Sequence, residues 1–409
     1  MSLTDEQNKA LKKIKEWMNN KDQWYFKLGG YAGTGKTFLI QHLVNEEFKN
    51  AICCAPTGKA ASVLKKKISV PVGTIHSLLY QPIIPQSFLL QSLVEKLLNY
   101  PDKAHKDAKL LVDAIAREKK KLAERKIGFV SKDTDAIYPG RLVIVDEASM
   151  VTKQMFEDFH NTNCKALFVG DPGQLPPVGS SNWFVDTDFD AKLNCVQRQA
   201  LDSPIIRMSL DVRQDKFNRL NYQTGDCRMI RKSDMTHKDW QSADQILTGR
   251  NVSRHKINRF FRKQLGHEGT LPNAGEKLIF LKNELHKGRG IINGAQCISE
   301  SATTVIGEGD AKQYFIDLLY DEELLTVEFY NYHCESNYIQ SLVEEPWQER
   351  QELRELDYAY AITVHKSQGS EWDKVILADD KMQENSEEFR RRWLYTAITR
   401  AKKEFLWVD

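Results

Sequence analysis

The chain has 409 residues, more than the roughly 250–300 that one hydrophobic core supports, so two domains are expected. Its 41% hydrophobic and 28% charged content is that of a soluble globular protein, and no apolar run approaches the roughly 18 residues of a membrane span. A formal net charge of +2 neither requires nor excludes a polyanionic partner, and seven cysteines without CxxC spacing or Cys/His pairs argue against a zinc cluster or a disulfide framework.

In chain order, a helix is predicted over Asp5–Asn19, then an apolar strand Trp24–Leu28, a glycine-rich loop, a helix Phe38–Val44 and a strand Ala51–Ala55. That alternation opens a parallel α/β sheet. From Pro82 to Asp135 the sequence turns charge-rich and helix-favouring, including Val94–Leu98 and Ala108–Lys126. This reads as an insertion, about residues 82–135, in a first domain of residues 1–192. Strand patterns return at Leu142–Val145 and Ala166–Val169. A helix near Pro204–Arg213 and a strand Gln245–Leu247 open a second α/β domain, residues 193–409. Within it, short strands at Lys277–Leu281 and Leu325–Tyr332, with turns at Gly288, Gly290 and Asn293–Gly294, predict a β-rich insertion over about 271–353. The α/β pattern resumes at Tyr358.

The first chemical signal is GYAGTGKT, Gly30 to Thr37, which fits G-x-x-x-x-G-K-[ST] between a strand and a helix. Gly30, Gly33, Thr34 and Gly35 let backbone N–H groups turn inward on nucleotide phosphates; Lys36 brings an ammonium to them and Thr37 a hydroxyl to Mg²⁺. A second apolar strand ends in Asp146–Glu147, where Asp146 suits Mg²⁺ and Glu147 suits proton abstraction from an attacking water. Together they predict an Mg²⁺-dependent ATP hydrolase.

Further strings give the sequence a resemblance to superfamily 1 helicases, in particular the RecD-like and Dda-like 5′→3′ subgroup. They are Gln7 in LTDEQNKAL, APTGKAA at 55–61, TIHS at 74–77, GDPGQLPPV at 170–178, LNCVQR at 193–198, GRNVSR at 249–254, YAYAITVHKSQGSE at 358–371 and LYTAITRA at 394–401. The resemblance implies two RecA-like parallel-sheet domains, with a helical, charged insertion in the first and a small SH3-like β-rich insertion in the second. It implies that Gln7 reads the adenine and that Gly369 and Glu371 border the nucleotide. By the same resemblance Gln174 senses the γ-phosphate, and Arg198 and Arg400 stabilise charge in the transition state. The strand contacts it implies are Pro56, Thr57, Thr74, His76, Pro177, Val178, Asn251, Arg254, Thr363 and His365. The expected function is therefore an ATP-dependent 5′→3′ DNA helicase in replication, recombination or repair.

Its expected partners are single-stranded and forked DNA, with replication or recombination proteins. A monomer in a bacterial or phage-infected cytoplasm, with no membrane partner, is expected. RNA as the tracked strand and a helicase subunit of an exonuclease complex stand as alternatives, because backbone tracking suits either nucleic acid. Lys119–Lys121 read either as a solvated helix face or as a nucleic-acid contact.

Overall fold

The opening helix runs over Asp5–Asn19 in the computed structural model. Thr4 caps it: its hydroxyl accepts from the Gln7 N–H, and the Gln7 side chain accepts from the Thr4 N–H. Ala10, Leu11, Ile14 and Trp17, which fall on one side of the helix, are buried with Phe26, Leu28, Leu39 and Ile40. That packing sets Gln7 beside the loop that follows Gly30. The described residues are 2–83, 93, 96–97, 110–112, 114–115, 117, 128–131, 141–177, 183–197, 202–216, 223–281, 284–286, 289–291, 293–307, 313–320, 322–330, 354–380 and 386–409.

Six parallel strands form the first sheet, in the order Val72–Thr74, Ile52–Ala55, Leu142–Val145, Lys165–Gly170, Tyr25–Gly30, Ala191–Leu193. The run LVIV at 142–145 is buried at every position, as a strand covered on both faces must be. Because these strands share one direction, the segments leaving Gly30, Ala55, Thr74, Val145 and Gly170 all emerge at one edge. Open parallel sheets bind ligands at that carboxyl edge. Ala191–Leu193 pairs with Leu28–Gly30, so the expected boundary between residues 192 and 193 falls inside a strand of the first sheet.

The second sheet has the order Ala361–Thr363, Gln245–Thr248, Trp372–Ala378, Ala401–Val408, Cys227–Ile230, Gln223–Thr224, and only the last pair is antiparallel. Two parallel sheets of this kind are what a pair of RecA-like domains requires. Inserted in the second sheet, between its strands Gln245–Thr248 and Ala361–Thr363, lies a third sheet, ordered Gln296–Ser299, Lys277–Phe280, Arg354–Tyr358, Glu323–Tyr330, Gln313–Tyr320, Thr304–Ile306. Gln296–Ser299 also pairs with Gln313–Tyr320, so the first five of these strands close into a ring around Leu278, Phe280, Ile316, Leu318, Val327 and Phe329. The module extends to Tyr358, past the expected limit at 353, because Arg354–Tyr358 pairs with Lys277–Phe280.

The first insertion begins and ends in a two-stranded antiparallel ribbon, Tyr80–Ile83 against Gly128–Ser131. Residues 93, 96–97, 110–112, 114–115 and 117 between them are helical, and Lys119–Lys121 lie outside the described residues. Among the described residues no helix is long and apolar enough to cross a membrane.

Candidate active site

The strand Tyr25–Gly30 runs into a tight loop, and the helix Lys36–His42 starts directly after it. Gly33 and Gly35 take positive φ, 76° and 81°, and a β-carbon on Gly35 would stand 2.4 Å from Gln7 Nε2. Only glycine fits there. Lys36 Nζ donates to Gly30 O at 2.7 Å and to Tyr31 O at 3.1 Å, and lies 3.8 Å from Asp171 Oδ2. Thr34 is buried, and its hydroxyl donates to Tyr31 O. Gln7 is 2% exposed; its Nε2 donates to Gly35 O at 3.2 Å and Thr34 O at 3.4 Å. The residue expected to face a base therefore also braces the phosphate loop from behind. Gln197 adds to the brace, its N–H on Gly33 O and its amide on Thr34 O.

Asp146 and Glu147 leave the buried strand Leu142–Val145 at the same edge. Asp146 Oδ1 accepts from the Glu147 N–H at 2.9 Å, and Glu147 takes a left-handed φ of 53°, uncommon for a residue with a β-carbon. Burial raises both carboxyls. Burial and then the Asp146 carboxylate push Glu147 up to about 7, while Arg400 and Lys36 oppose the rise.

These groups face a cleft of about 290 Å³ between the two sheets. Thr37, Asp146 and Glu147 line one wall, and Gly369, Glu371 and Arg400 the other. Arg400 is 4% exposed and is held by Thr396 O at 3.1 Å, Ser370 O at 3.1 Å and Thr399 Oγ1 at 3.2 Å. Lys59 also lines the cleft, 5.0 Å from the Trp372 ring centroid. Burial, then Lys277 and Arg400, pull its ammonium down to about 8. The APTGKAA string thus sends Lys59 towards the cleft, a role its sequence position does not reveal. Gln174 is buried with its Oε1 unpartnered. Arg198 and Val178 lie outside the described residues.

The segment after Gly170 crosses between domains. Leu175 is fully buried in the second domain's core with Met208, Val212, Trp393 and Leu394. Its N–H donates to Thr396 Oγ1 at 3.0 Å, and its carbonyl accepts from Gln368 Nε2 at 3.1 Å.

Three threonines expected to touch a strand share one structural duty. Thr74 and Thr363 end strands and Thr57 follows one by two residues, and each caps the next helix, their hydroxyls accepting from the N–H of Ser77, Lys366 and Ala60 in turn. Capping uses a lone pair and leaves each hydroxyl proton free to be donated to a phosphate oxygen. Burial lowers His76 and His365, which favours their neutral form. Pro56 and Asn251, each just past the carboxyl end of a strand, are partly exposed, and so is Pro177 on the segment that crosses between the domains. Arg254 is not so placed: it is 3% exposed, 2.7 Å from Asp357 Oδ2, and its Nη2 is 2.9 Å from His255 Nε2. Its guanidinium is engaged inside the protein.

Comparison with known proteins agrees with this architecture. The AAA domain family matches residues 2–232, and a UvrD-like helicase C-terminal domain matches residues 358–408. An uncharacterised protein of Acanthamoeba polyphaga mimivirus is 31% identical over 176 residues, 41% of this chain and 32% of that one. The conjugal transfer protein TraA of Rhizobium radiobacter is 25% identical over 304 residues, 64% of this chain and 24% of that one. The chain thus spans about a quarter to a third of the length of these two relatives. The ATP-dependent DNA helicase Pif1 of Campylobacter jejuni is 23% identical over 442 residues, covering 91% of this chain and 86% of that one. Among solved structures, a Pif1 helicase from Bacteroides in complex with ADP-AlF3 and single-stranded DNA shares the fold. Its TM-score is 0.50 at 19% identity, covering 100% of this chain and 92% of that one.

Proposed function

The chain belongs to the AAA domain family, and from that premise we propose that it is an ATP-dependent DNA helicase of superfamily 1, moving 5′→3′ along a single strand. One observation carries the reading: Thr37, Asp146 and Glu147 on the first domain face Arg400 of the second across one cleft, and both Lys36 and Arg400 act on the Glu147 carboxyl. Such a site is complete only when the domains are together, so occupancy of the nucleotide is tied to their relative position. Both walls come from one chain, which supports action as a monomer.

In the proposed mechanism the Lys36 ammonium turns from Gly30 O and Tyr31 O to the β and γ phosphates. Glu147, held at about 7, accepts the proton of the attacking water, and the unpartnered Oε1 of Gln174 orients that water. Arg400 adds positive charge where the γ-phosphoryl group separates. Thr37 and Asp146 are hard oxygen donors on one wall and suit Mg²⁺, which keeps several waters and takes phosphate oxygens. When bound, Mg²⁺ neutralises phosphate charge. Thr57, Thr74 and His76 on one domain, and Asn251, Thr363 and His365 on the other, then hold the strand backbone in alternation. Single-stranded and forked DNA are the proposed substrates; the Bacteroides Pif1 helicase that shares the fold holds single-stranded DNA.

Duplex DNA carrying either a 5′ or a 3′ single-stranded tail tests the reading. Unwinding is expected on the 5′-tailed substrate alone, and Lys36→Ala is expected to lower ATP hydrolysis at least about 100-fold with the melting curve unchanged. Equal unwinding from a 3′ tail overturns the direction, and unchanged turnover in the variant overturns the site. Stronger unwinding with an RNA tail moves the substrate to RNA.

A further inference from the structure

Tyr395 lies within the second-domain helix Glu387–Ile398, is 2% exposed, and reaches the first domain. Its hydroxyl accepts from the Ala32 N–H of the phosphate loop at 2.8 Å and donates to Asp171 Oδ2 at 2.7 Å. Asp171 is fully buried; its Oδ1 accepts from the Gly173 N–H at 2.8 Å, and its Oδ2 is 3.8 Å from Lys36 Nζ. Gly173 makes room for the ring, since a β-carbon there would stand 3.0 Å from Tyr395 Cε1. A second contact flanks the first: the Arg213 guanidinium lies 3.7 Å from the centroid of the Tyr31 ring, which meets Tyr395 edge-on at 6.4 Å. Burial, with the Asp171 carboxylate, pushes the Tyr395 phenol well above its ordinary value. It stays neutral, with one proton to give and a lone pair to receive.

The Ala32 N–H and the Lys36 ammonium belong to the loop that a triphosphate must enlist, and each already has a partner within the protein. We propose that Tyr395 is a positioning residue that competes with the terminal phosphate for the Ala32 amide and relays its displacement through Asp171 to Gln174. The proposal rests on the ATPase reading above. The relay is short, because the Gln174 N–H donates to Asp171 O at 3.2 Å and Leu175 follows into the second domain. A phosphate that takes the Ala32 N–H leaves the Tyr395 hydroxyl with Asp171 alone, and the turn carrying Gln174 adjusts with it.

Fluorescent ADP and a non-hydrolysable ATP analogue, titrated into the full chain, test this together with steady-state hydrolysis. Tyr395→Phe keeps the ring and removes both hydrogen bonds. The Kd of the ATP analogue and the KM for ATP are expected to fall about 3- to 10-fold, the Kd of ADP to change less than about 2-fold, and the stimulation of kcat by single-stranded DNA to drop. Asp171→Asn removes the negative charge near Lys36 and is expected to tighten the analogue likewise, so the test survives if Tyr395→Phe does not fold. Unchanged or weaker analogue binding in the folded variants overturns the proposal, as does an equal shift for both nucleotides, which a merely structural role would give. A wild-type chain that binds neither nucleotide fails the ATPase reading instead.

Discussion

Glu147 joins two unfavourable circumstances, a left-handed backbone and a carboxyl raised to about 7 by burial and by Asp146. A base with that value abstracts protons only when ionised, so wild-type kcat is expected to rise with pH through about 7. Glu147→Gln is expected to lower kcat at least about 100-fold, to remove that limb, and to leave ATP binding intact. Thermal melts across pH give a second test. Between the ordinary carboxyl range and about 7 the folded chain holds a proton that the unfolded chain has released, so stability falls as pH rises through this window. Glu147→Gln is therefore expected to melt above wild type at pH 8, with the gap closing towards pH 4.5. Lys36, Thr37, Asp146 and Glu147 are legible in the sequence because their chemistry is local to two short strings. Asp171 follows a buried strand just as Asp146 does, and the same strand-end rule could have found it. Tyr395 has no local mark; its partner Ala32 is 363 residues away. The ion pair of Arg254 has no local mark either, since Asp357 is remote in sequence.

At the scale of elements, helix Asn251–Gln264 is tied to the β-rich module by a buried pair. Arg262 Nε and Nη2 reach the Glu276 carboxylate at 2.7 and 3.0 Å, and Glu276 also accepts from the Asn273 N–H and the Tyr360 hydroxyl. Glu276 is 0% exposed, so removing its partner leaves a buried charge. Arg262→Leu is expected to cost about 3–5 kcal/mol, read from urea unfolding, and the double replacement Arg262→Leu/Glu276→Leu to cost less. A larger loss in the double variant would reject this account. Strands such as Gln245–Thr248 and Leu142–Val145 were readable from short apolar runs, the first as Gln245–Leu247. Closure of five strands into a ring was not readable from those runs and came only with the SH3-like module that the resemblance implied, because pairing of Ile298 with Leu319 depends on non-local register. The ribbon Tyr80–Ile83 with Gly128–Ser131 was hidden likewise, its strands being far apart in sequence and the segment between them helix-favouring.

For the molecule as a whole, the order of strings along the chain pointed to two linked α/β units, and both parallel sheets follow that order. The string GDPGQLPPV does not disclose that Leu175 leaves its own sheet to enter the neighbouring domain's core. Leu175→Ala is expected to cost about 2–5 kcal/mol through the cavity it leaves, and to split one calorimetric unfolding transition into two. A single transition with an unchanged midpoint would show that the domains are not joined there.

The seating of Leu175 also limits how the cleft can move. With its side chain enclosed and its N–H and carbonyl both bonded to the second domain, pulling the domains straight apart empties an apolar socket and breaks two hydrogen bonds at once. Swivelling about that point leaves the socket filled. Rotation about that point is checked in turn by the Tyr395 hydroxyl, which holds the Ala32 N–H and Asp171 at a second place.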